Sequence, residues 1–124
     1  MQNLSLPELP SPLVVAAHDA GAANLIIGWL RNRPSLQLRL CLDGPAAQLW
    51  SCAFGDWTST TLENALHDAA ALISGTSHAS ELEHQARNLA QHRQIHSIGV
   101  IDHWVNYPQR FIRNGQTVLP DEIW

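Results

Sequence analysis

At 124 residues, with 45% hydrophobic and 15% charged side chains, the chain has the size and balance of one globular domain. Seven arginines against eleven acids give a net charge of −4 with no basic run, which argues against nucleic acid as a partner. No lysine occurs at all, which excludes a Walker A phosphate loop and Schiff-base or pyridoxal-phosphate chemistry, and disfavours a phospho-receiver site.

Residues 1–12 hold three prolines and no periodic pattern, so an extended lead-in is expected. It has no basic region, and the apolar stretch behind it is too short for a signal or membrane helix. Cys41 and Cys52 lack CxxC spacing, so a cytoplasmic, reduced protein with buried thiols and no membrane span is expected.

"LVVAA" (Leu13–Ala17) reads as a buried strand. After "HDAGAAN", the residues Ala22, Leu25, Ile26, Trp29 and Leu30 recur at helical spacing, and that helix stops before Pro34. Residues 36–42, "LQLRLCL", alternate like a strand with Gln37 and Arg39 on its second face. Asp43 supplies a cap and Pro45 a first-turn residue for the helix that "DGPAAQLW" begins.

Thr60 and Glu63 have capping-box spacing ahead of the short helix "TLENALHDA". Residues 70–76 form a third strand. Ser80 and Glu83 make a second capping box for a helix reaching about His92, with Ala79, Leu82, Ala86, Leu89 and Ala90 as its inner stripe. Residues 95–101 form a fourth strand, and "VLPDEIW" opens a fifth. Alternating strands and helices predict an α/β fold: a Rossmann-like three-layer sandwich with a parallel sheet of about four or five strands.

Ligands of such sheets sit beyond the carboxyl ends of the strands. Three polar clusters fall there. In "HDAGAAN", His18 and Asp19 close the first strand, Gly21 permits a tight turn and Asn24 enters the first helical turn, where free N–H groups suit phosphate. Asp19 serves equally well as an ordinary N-cap. In "SGTSHASE", Gly75, Thr76 and Ser77 form a hydroxyl-rich turn suited to a phosphate or a sugar hydroxyl, and helix capping explains Ser80 but not Thr76 or Ser77.

In "DHWVNYPQRF", Asp102 follows the fourth strand and could orient His18 or its neighbour His103 as a general base. Trp104 and Tyr107 could stack on a base or sugar, with Asn106 beside them. Arg110 could grip a phosphate or pair with Asp102 or Asp121, and Phe111 belongs to the core. His92 and His96 have HxxxH spacing, but a helix end falls between them and no cysteine or carboxylate completes a metal set. No metal and no cofactor are expected.

Three segments, "VVAAHDAGAANLIIGWL", "LISGTSHASELEHQARNLA" and "IGVIDHWVNYPQRF…LPDEIW", together resemble the N-terminal, acceptor-side half of GT-B-type proteins. That superfamily comprises nucleotide-sugar glycosyltransferases, UDP-N-acetylglucosamine 2-epimerases and CDP-glycerol glycerophosphotransferases. The likeness is one of pattern across about residues 13–124. It implies a domain that binds a nucleotide-sugar or a sugar or polyol acceptor, with His18 as catalytic base and Asp102 orienting it. The donor-binding C-terminal lobe of that superfamily is not in this sequence, so no transferase activity is expected of the chain alone; a homodimer or a separate C-terminal lobe is the expected partner. The rival readings are a non-catalytic α/β small-molecule-binding or protein-interaction module, to which five tryptophans lend weight, and a small hydrolase, which lacks a GxSxG elbow.

Overall fold

The computed structural model describes residues 9–77, 81–101, 111–113 and 115–124. Strands β1 (Leu13–Ala17), β2 (Leu38–Leu42), β3 (Ala71–Ser74), β4 (His96–Gly99) and β7 (Glu122–Ile123) form one parallel sheet in the order β2-β1-β3-β4-β7. Helices α1 (Ala20–Leu30) and α2 (Gly44–Phe54) cover one face, and α3 (Leu62–Leu66) and α4 (Leu82–His92) cover the other. A two-stranded antiparallel pair, β5 (Ile112–Arg113) with β6 (Gln116–Thr117), precedes β7 and was not expected from the sequence. The chain is a Rossmann-like α/β sandwich.

β1 shows why the sequence folds this way. Its side chains alternate across the pleat: Leu13, Val15 and Ala17 pack with Ile26, Ala46 and Trp50, while Val14 and Ala16 pack with Leu66, Ala86 and Ala90. A strand covered on both faces can be apolar throughout, and each large aliphatic side chain so buried contributes roughly 1.5–3 kcal/mol. Among the described residues, no helix is long and apolar enough to cross a membrane.

Several boundaries differ from expectation. β2 and β3 begin later than residues 36 and 70, and β4 stops at Gly99, because each is limited by the ladder it shares with its neighbours. The cap of α3 is Thr61, whose Oγ1 accepts the Asn64 N–H at 3.2 Å, and not Thr60 with Glu63. Arg39 reaches out of the sheet to the carbonyls of Ala65 (2.8 Å) and His67, tying α3 to β2. Cys41 is buried as expected, with its thiol pushed up to about 11 chiefly by desolvation, but Cys52 is exposed.

The sheet order reverses beside β1. The chain steps out to β2 and then returns to place β3 on the other side of β1, so the crevice at their carboxyl ends is the topological switch point.

Candidate functional site

His18 directly follows β1 and is partly exposed. Its Nδ1 lies 2.7 Å from Oδ1 of Asp43, at the end of β2. Asp43 occupies the N-cap position of α2, yet its side chain makes no capping hydrogen bond there. The carboxylate expected to cap is turned to the imidazole instead. Beneath the ring lies Gly44, whose φ of +54° and whose hydrogen in place of a Cβ both matter: an added Cβ would sit 2.5 Å from His18 Cε1. Carboxylate and glycine together fix the ring's orientation. Among the described residues nothing engages Nε2.

Behind this pair sits a carboxylate the sequence analysis assigned to capping. Glu83 is fully buried. Its Oε2 accepts the His18 N–H at 3.0 Å and its Oε1 accepts the Ser77 N–H at 2.7 Å, so one side chain joins the ends of β1 and β3. Ser80 lies outside the described residues, but α4 starts at Leu82, which puts Glu83 one residue inside the helix rather than at its third turn position. The expected capping box is therefore replaced by a tertiary contact. Burial pushes the Glu83 carboxyl above the usual carboxylate range. The two N–H bonds and the nearby Arg87 charge pull it partly back, and Asp19 adds a further upward push.

One turn along α4, the almost fully buried Arg87 donates from Nη1 to the Gly75 carbonyl at 2.7 Å, and its guanidinium carbon lies 5.3 Å from the ring centroid of buried Phe111. Gly75 is fitted to this arrangement, because a Cβ there would overlap Glu83 Oε2. The buried face of α4 thus carries Glu83, His84 and Arg87 beside the expected stripe, in which Ala86 and Ala90 are buried and Leu82 and Leu89 pack partly buried on the same core.

The other expected site residues divide. Asp19 stands at the α1 N-cap without a side-chain bond, Gly21 lies within α1, and Asn24 is exposed beyond its first turn, not in it. The left-handed glycine near the site is Gly44 and not Gly21. Thr76 is buried and donates its hydroxyl to the Val100 carbonyl at 3.0 Å, so its Oγ1–H bonds the fold and is not directed at a ligand. Ser77 is brought to His18 through Glu83. Asp102, His103, Trp104, Asn106, Tyr107 and Arg110 lie outside the described residues, as does His78; the described partner of His18 is Asp43.

His92 and His96 do not act together. His92 Nδ1 is 2.8 Å from the Asn88 carbonyl, whereas His96 Nε2 is 2.5 Å from Glu122 Oε2. Among the described residues, no group of three histidines, cysteines or acids could hold a metal ion. A hollow of about 470 Å³ lies apart from His18, between α4 and the approach to β7, lined by Gln91, Gln94, Ile95, Ser97, Leu119 and Asp121. It is lined by no histidine, though the Ser97 hydroxyl and the Arg87 side chain border it.

Comparison of the chain with protein-family models, with curated proteins and with solved structures gave no match.

Proposed function

We propose that this is the acceptor-side domain of a GT-B-type glycosyl- or polyol-phosphate transferase, with His18 as its general base. The observation that carries the reading is the His18–Asp43 pair at the switch point. A carboxylate on Nδ1 selects the tautomer that leaves Nε2 as a proton acceptor, and it stabilises the imidazolium formed when that proton arrives. An acceptor hydroxyl on Nε2 would surrender its proton there as its oxygen bonds to the donor's electrophilic carbon or phosphorus. The bond to the nucleotide breaks, and the nucleotide leaves with the electron pair. The donor would be held by a second lobe or partner chain.

The test is turnover in the two-lobed protein. His18→Ala should keep the fold and lower kcat by roughly 10²–10⁴, the usual contribution of a positioned general base. Asp43→Asn, which keeps the shape but not the tautomer, should lower it by a large part of that factor. An unchanged rate in His18→Ala would remove the proposal.

A further inference from the structure

The crevice where doubly wound sheets hold phosphate on main-chain N–H groups is occupied here by a carboxylate of the chain itself. From this we infer that Glu83 is a specificity-determining residue: it excludes phosphate from the His18 crevice and leaves that crevice to an uncharged, hydroxyl-bearing acceptor. The acceptor half of this inference rests on the role proposed above for His18. The exclusion of phosphate does not.

Three features support it. Both Glu83 oxygens accept main-chain N–H groups, one from the segment after each strand flanking the switch point, so the His18 and Ser77 N–H groups are not open to a phosphate. The side chain is fully buried, which holds it in one place and makes any anion brought beside it costly in a medium of low dielectric. Gly75 provides the clearance, since any Cβ there would push Oε2 out of its seat. Among the described residues, the charges around the carboxylate are Asp19 and Arg87, with the His18–Asp43 pair on the solvent side. Arg87, the cation of that set, has Nη1 bound to the Gly75 carbonyl. A neutral hydroxyl approaching His18 Nε2 meets no such repulsion.

The experiment is an amide NMR titration of the full chain, wild type and Glu83→Gln, with inorganic phosphate in one arm and a neutral monosaccharide, N-acetylglucosamine, in the other. The glutamine keeps one acceptor oxygen, sets an NH₂ against the second backbone donor so that this N–H loses its partner, and removes the charge. In wild type the His18 and Ser77 amides should not move with phosphate. In Glu83→Gln they should shift saturably, with phosphate affinity raised at least about tenfold. Saturable movement of these amides in wild type would overturn the inference, and so would a Glu83→Gln chain as silent as wild type. Should Glu83→Gln fail to fold, the wild-type phosphate arm still decides the exclusion. The sugar should perturb residues around His18 in wild type. Its failure there, with the phosphate arm as expected, would overturn the acceptor reading and leave phosphate exclusion standing.

Discussion

Two of the histidine–carboxylate pairings among the described residues, one at each side of the sheet, are built for different ends. At the switch point, His18 binds one carboxylate oxygen of Asp43 through Nδ1 and keeps its other nitrogen toward the crevice. At the far edge, His96 at the start of β4 is buried between acids: its Nε2 lies 2.5 Å from Glu122 Oε2, and Asp121 Oδ2 stands 3.8 Å from Nδ1, beyond hydrogen-bond reach. Asp121 also accepts the Ser97 N–H at 2.8 Å, and Glu122 accepts the Trp124 indole N–H at 3.3 Å. The side chains of His96 and Glu122 are 9% and 7% exposed, whereas that of His18 is 22% exposed. A histidine buried among acids fastens a strand; one that is partly exposed, with a ring nitrogen facing no described group, can move a proton. Residue type alone does not distinguish them.

The sharpest way to break this contrast is Gly75→Ala. It should evict Glu83 from its two N–H partners and strand a buried carboxylate, at a cost of about 3 kcal/mol. Thermal unfolding reads it, and a melting temperature equal to wild type would show that Glu83 does not join the two strand ends. Glu122→Ala should act locally and cost about 1–2 kcal/mol, by loosening β7. Hydrogen exchange should quicken at Ile101 and Trp124, whose N–H groups bond Trp124 O and Gly99 O, while the His18 amide keeps its protection. Equal acceleration at both corners would mean that they are one cooperative unit.

The subtlest test is pH. The folded Glu83 carboxyl is raised above its ordinary 4.5, so the folded chain holds that proton more tightly than the unfolded one. Its contribution to stability is therefore greatest below about pH 4.5 and is lost as pH rises through the folded value. Wild type should lose stability relative to Glu83→Gln across that interval in denaturant unfolding. A constant difference between the two would show that Glu83 sits in an ordinary aqueous environment.

The architecture was legible because it depends on periodicity: runs such as "LVVAA" and the helical spacing of Ala22, Ile26 and Leu30 carry one meaning in any compact fold. His18 was legible as well, since a polar residue immediately after a buried strand must emerge at the sheet's carboxyl edge. The partners of His18 were not. Asp43 and Glu83 each stand where a helix N-terminus normally explains an acid, and local spacing cannot reveal a side chain that turns instead toward a residue 25 or 65 positions away. Thr76 is the opposite case: its hydroxyl is donated to the carbonyl of Val100, just past β4 and 24 residues on, which local spacing cannot show.

Gly44 carries a consequence for how this chain can change over time. Its left-handed backbone and its contact with the His18 ring are separate constraints that fall on a single position. Asparagine or aspartate could meet the first but would strike the imidazole. A loop that moved to clear the imidazole would carry Asp43 with it. A side chain at position 44 would therefore need both a left-handed backbone and a turned imidazole, so a lineage that kept the His18–Asp43 geometry would be held to glycine there and one that gave it up would be free to drift.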